Sequence, residues 1–271
     1  MTSANPAGET PGGLGAHATD LPGPGDRLPP ATAAAHAASL RARVAAATAR
    51  LQETVSRLDD GQAREASLLP GWSRGHLLSH IARNADSLRN LLIWARTGVV
   101  TPQYRDAAER DEGIAAGAGR PAADLLADLA ASAAALDSEA ASLPDTAWSA
   151  QVAGLRGAPH PAWYTLWRRL SEVEIHHADL GAGYGPGHWP PDFATYCLRR
   201  AAGGFTGPDA PVAMLSCTDV PLRVRIGEPG AEPADTISGP VRSLLAWLIG
   251  RGDGSDLTTD PPGPLPAVPS W

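Results

Sequence analysis

Glu172 and His176 stand four residues apart in Glu172-Val173-Glu174-Ile175-His176-His177. On a helix that spacing puts two side chains on one face, about 5–6 Å apart at Cβ. A carboxylate and an imidazole so placed can close on one ion. With His80 as a distant third donor the set is two histidines and one glutamate. Catalytic zinc uses that set while keeping a position open for water or substrate. Glu-x-x-x-His alone is a weak signal, since such pairs are common on solvated helix faces. The apolar periodicity also offers a rival pair. Trp163, Leu166, Leu170, Val173, His177 and Leu180 form a three-four seam that puts His177, and with it Glu174, on the packed side. Glu172 and His176 fall on another flank with Arg169 and Asp179. Either that flank faces a cleft, or Glu174 and His177 are the metal pair.

The helix carrying His80 opens at Pro70-Gly71-Trp72-Ser73, a turn followed by an N-cap serine. It runs to about Arg96 and closes at Thr97-Gly98. His80 and Asn84 fall on its apolar face among Leu77, Ile81, Leu88, Leu91 and Leu92. Buried polar groups need partners. Here either a core histidine donates to a carbonyl, or a metal ligand has its other ring nitrogen hydrogen-bonded. His76, one turn earlier, is the alternative ligand.

Three further amphipathic helices are expected at about 32–58, 121–142 and 161–180, with a long polar connection over 99–120 that suggests a loop or lid. With no strand signal between them, the four read as a helical bundle, a fold that builds metal sites from facing helices. Residues 1–30, poor in large apolar side chains, read as a disordered tail. The bundle is expected over 31–185, with a Gly/Pro-rich break at 181–191. A small α/β domain follows over 190–271, with a short helix, strands at 212–217 and 222–226, a third at 235–237, and a helix opening at Ser238-Gly239-Pro240. The fold class is α+β.

Composition excludes several functions. The net charge of −7 argues against nucleic acid, and the absence of lysine among the 22 basic residues rules out a Schiff-base lysine. The longest apolar runs fall far short of the roughly 20 residues a membrane helix needs. No signal-peptide pattern opens the chain, so a cytoplasmic location is expected. Two cysteines, Cys197 and Cys217, make no framework and no metal spacing; they read as reduced thiols.

The run from Pro70 to His80, followed by Asn84, resembles the N-terminal signature of mycothiol-dependent maleylpyruvate isomerases. Trp167, Arg169, Glu172-Val173, Ile175-His176 and Asp179-Leu180-Gly181 resemble a second signature, and Gly250-Arg251-Gly252 a third. The resemblance spans about residues 35–271. It implies a DinB-like four-helix bundle holding a divalent metal, usually zinc, with a small C-terminal α/β domain. By the family pattern the ligands fall on His80, Glu172 and His176, not on Glu174 and His177, and an arginine important for activity falls on Arg251. The implied reaction is cis-to-trans isomerisation of maleylpyruvate to fumarylpyruvate in gentisate breakdown, with mycothiol as a regenerated cosubstrate. Arg251 is then the expected partner of the substrate's carboxylates. Manganese, iron or nickel would also suit these ligands. Two other functions fit the same scaffold: a mycothiol-dependent S-transferase acting on other electrophiles, and a non-catalytic metal-binding regulatory module.

Overall fold

The computed structural model describes residues 22–155, 158–205 and 210–268. Four long helices make the N-terminal part: α1 (Pro30–Val55), α3 (Arg74–Thr97), α5 (Ala122–Ser142) and α6 (Ala162–Asp179), with short α2 (Asp60–Arg64) and α4 (Ala107–Gly117) between them. α3 packs on α5 and α6, and α1 packs on the same two, closing a four-helix ring. Leu51, Leu88, Leu129 and Val173 lie in its core, each buried.

Each long helix starts where local chemistry permits. Ser73 caps α3 reciprocally with His76: its hydroxyl accepts from the His76 amide, and His76 Nδ1 faces the Ser73 amide at 3.3 Å. Gly98, at φ 71°, ends α3 in the left-handed conformation that glycine takes without strain. Proline precedes the first turns of α1, α5 and α6, where no amide partner is needed.

The structure revises the sequence expectation at several points. The polar connection over 99–120 contains α4, whose Asp106 cap accepts from the Glu109 amide. The first helix, expected to about residue 58, stops at Val55, and Asp59 opens α2 through a capping box with Gln62. The tail up to residue 21 lies outside the described residues. Residues 22–29 are placed, however: Tyr196 donates to the Pro22 carbonyl, Ser149 to that of Leu28, and the Leu28 side chain packs on the core.

After the break come α7 (Pro191–Ala202), β3 (Ala213–Cys217), β4 (Arg223–Ile226), β5 (Asp235–Gly239), α8 (Val241–Leu248) and β6 (Thr258–Asp260); a two-residue ladder, β1 (Gln151–Val152) with β2 (His160–Pro161), precedes α6. The larger sheet has the order β4-β3-β5-β6, with β3 and β5 parallel and the other pairs antiparallel. α7 and α8 pack together, with α8 on β3 and β5 and α7 on β4. Gly239 belongs to β5, so Pro240 rather than Ser238 marks the start of α8. The two cysteines are free, Cys197 buried and Cys217 partly so. No described helix is long and apolar enough to cross a membrane.

Candidate metal centre

α3 and α6 face each other in the ring, and their facing flanks bring His80, Glu172 and His176 together. One donor atom from each lies within 4.8 Å of the other two. His80 Nε2 is 3.1 Å from Glu172 Oε2, and His176 Nε2 is 3.3 Å from the same oxygen. The rings of His80 and His176 meet edge to face at 4.9 Å, and Trp72 closes on His80 from the other side at 5.5 Å.

Hydrogen bonding orients these donors. His176 Nδ1 sits 2.8 Å from Asp179 Oδ2 and gives its proton there, which leaves Nε2 of the neutral ring with a lone pair aimed at Glu172. Were His80 Nε2 also unprotonated, two imidazole nitrogens and a carboxylate oxygen would point lone pairs at one another. Such convergence is repulsive unless a cation stands among the donors, and that donor set fits a divalent ion. Without a metal a proton takes the role. Burial disfavours charge on His176, yet hydrogen bonds to Asp179 and Glu172 overcome it and push its pKa up to about 9. Burial likewise opposes charge on Glu172, but bonds from His176 and His80 hold its carboxyl well below the usual range. His80 is kept neutral chiefly by burial, as a ligand must be. Among the described residues its Nδ1 finds no partner for the hydrogen bond expected on that nitrogen.

Asp179 was not among the residues singled out as functional. Its buried carboxylate accepts from His176 and also from Arg251, whose Nε and Nη2 fork onto it at 3.1 Å each. Burial raises the Asp179 pKa, but the His176 and Arg251 hydrogen bonds outweigh it and the group stays below its ordinary value. The signal was present: Asp179 is three residues after His176, on the same helix flank. Arg251 Nη1 donates to the Ile249 carbonyl. The arginine therefore stands behind Asp179 and, through it, His176.

The rival pair has other work. Glu174 accepts from Arg50 and Tyr184, both at 2.5 Å. His177 Nε2 is 2.8 Å from Thr54 Oγ1, and its ring stacks on Tyr184 at 3.8 Å. Both are buried, as the periodicity required, but the structure does not bring them to the three donors. His76 serves the α3 cap. Asn84 Oδ1 accepts from the buried Arg169 at 2.9 Å.

A polar cavity of about 310 Å³ opens beside the cluster, lined by His80 and Glu172 and by Asn84, Gln103, Tyr104 and Arg168. A second, of about 250 Å³, lies between α6 and α7 and shares Glu172 and Arg168 with the first.

The fold and site define an α+β protein whose helical bundle presents a histidine–carboxylate–histidine cluster to a polar cleft. Residues 44–181 match the family model described as the mycothiol maleylpyruvate isomerase N-terminal domain, and residues 188–270 match the C-terminal domain of the same proteins. A crystal structure of the mycothiol-dependent maleylpyruvate isomerase is 31% identical, with a TM-score of 0.80 over 87% of this chain and 97% of that one. A histidine-to-alanine mutant of that isomerase gives 30% identity and a TM-score of 0.79 over the same shares. A comparison with curated proteins gives no match. The chain belongs to the mycothiol-dependent maleylpyruvate isomerase family, a family of isomerases.

Proposed function

We propose that the protein isomerises maleylpyruvate to fumarylpyruvate with mycothiol as a regenerated cosubstrate. The observation that carries this reading is the convergence of the His80, Glu172 and His176 donors at the wall of a polar cavity, in a chain of this family. These three residues would hold a divalent ion, with zinc the first candidate. Such an ion supplies a local positive charge that lowers the pKa of a thiol bound there.

The chain's own groups do the rest. His176 is oriented through Nδ1 by Asp179, which is held in turn by the Arg251 fork. That arrangement directs the Nδ1 proton to Asp179 and aims Nε2 at the other two donors. Arg251 is a positioning residue in this reading. The cosubstrate thiolate adds to the cis double bond, the resulting single bond rotates, and elimination returns the trans alkene and the thiolate, so nothing is consumed. Two cavities that share Glu172 and Arg168 in their walls suit a reaction that brings two molecules together.

Purified protein assayed with mycothiol should convert maleylpyruvate to fumarylpyruvate faster than it conjugates a general electrophile such as a chloronitrobenzene. Conjugation without isomerisation would replace this proposal with an S-transferase. Neither activity in metal-replete protein would point to the non-catalytic module.

A further inference from the structure

We infer that Arg168 forms a carboxylate-binding subsite in the polar cavity, and that neutral partners hold its guanidinium so that its charge is left for the ligand. The inference rests on the proposal that this cavity takes an anionic electrophile.

Arg168 extends from α6 one turn before Glu172 and, like Glu172, lines both cavities. Its two Nη atoms have protein partners. Nη1 lies 3.2 Å from His160 Nε2, and Nη2 donates to Gln103 Oε1 at 3.3 Å. His160 Nδ1 is 3.1 Å from the Pro161 carbonyl and must carry the proton, so Nε2 accepts. Burial pushes the His160 pKa down to about 4, which keeps that ring neutral. Gln103 is fixed as well: its Oε1 also accepts from the Leu155 amide at 2.9 Å and its Nε2 donates to Ser87 Oγ at 3.2 Å.

Among the described residues, no carboxylate lies within 4 Å of Arg168. The other arginine lining this cavity, Arg110, is paired with Asp111 at 2.8 Å. A carboxylate partner would compete with an incoming anion; a neutral imidazole and an amide oxygen orient the guanidinium without neutralising it. Glu172 is the anion nearest in influence, and a divalent ion would take up its charge. A half-buried cation so placed matches a carboxylate of a cis-dicarboxylate whose double bond lies toward the three donors.

The backbone supplies a control that keeps the arginine. A Cβ on Gly154 would stand 2.6 Å from Arg168 Nη1 and 2.6 Å from Gln103 Oε1. Both are side-chain ends and not backbone, so Gly154→Ala should displace them at the cost of the hydrogen bonds that hold them while the helices stay in place.

The test is calorimetric titration of the metal-loaded enzyme with maleate, and with its neutral dimethyl ester, in wild type, Arg168→Met, Arg168→Lys and Gly154→Ala. Wild type should bind maleate more tightly than the ester. Arg168→Met should weaken maleate by roughly 10- to 100-fold, the loss expected for charge-assisted hydrogen bonds, and leave the ester unchanged. Arg168→Lys and Gly154→Ala should fall between, and they carry the test if Arg168→Met fails to fold. Maleate binding that is unchanged across the folded variants, or a wild type that does not prefer maleate to its ester, overturns the inference. Arg168-dependent maleate binding in a protein that does not isomerise maleylpyruvate would sink the proposed function and leave the subsite standing. Isomerisation together with Arg168-independent binding would do the reverse.

Discussion

Asp179→Asn is the sharpest probe of the centre, because it keeps shape and removes charge. The carboxylate offers one oxygen to His176 and both to the Arg251 fork. Asparagine has a single acceptor oxygen, so either His176 Nδ1 or part of the fork faces an NH2 group. Hydrogen bonds to charged groups contribute about 1.5–3 kcal/mol each, and loss of a partner behind a ligating histidine commonly costs about 10- to 100-fold in metal affinity. We expect zinc affinity at pH 7.5 to fall within that range, roughly 1.4–2.7 kcal/mol. Competition against a chromogenic chelator measures it directly. Arg251→Lys, which keeps a charge but loses the fork, should show a smaller fall. Equal zinc affinity in Asp179→Asn and wild type would refute the idea that this carboxylate sets the His176 ring.

Three other outcomes are expected. His80→Ala and Glu172→Ala should each lose bound metal by elemental analysis, and isomerase activity with it, while helix content by circular dichroism is kept; full activity in either removes the site assignment. His160 has a folded pKa of about 4 against about 6.5 unfolded, so the unfolded chain binds the extra proton between those values and stability falls as pH drops from 6.5 to 4. Urea titrations should show His160→Asn losing less stability than wild type over that window, by up to about 3 kcal/mol; parallel losses would contradict the buried neutral ring. Gly75→Ala would set a Cβ 2.1 Å from the Ala118 carbonyl, where backbone cannot yield cheaply. A drop in unfolding free energy of about 1–3 kcal/mol is expected, and an unchanged thermal midpoint would show that the α3 entrance is looser than described.

What the sequence revealed follows from what repeats in it. The four long helices carry three-four apolar stripes over five or more turns, and each was found to within a few residues. α2 and β6, at five and three residues, are too short to carry a period, and α4 has only Ile114 and Gly117 buried. At the site, the i, i+4 spacing of Glu172 and His176 marked a pair, but periodicity could not choose it over Glu174 and His177. Periodicity reports which face is packed; a cleft-facing flank is by nature off the apolar seam. The family resemblance made that choice. Arg168 gave no sign, since its role depends on His160 and Gln103, brought to it by a two-residue ladder and a loop contact. Arg251 was recognised without its partner, because the fork onto Asp179 joins residues 72 positions apart.

That long-range fork has a consequence for biosynthesis. The bundle's ligands are all translated before the segment that supplies the guanidinium, so a nascent bundle can assemble its three donors while Asp179 still lacks half its partners. On the proposed metal reading, tight retention of an ion would wait on docking of the last segment. A chain clipped before Gly250 should keep its helices yet hold an ion at the three donors more weakly than the full chain does.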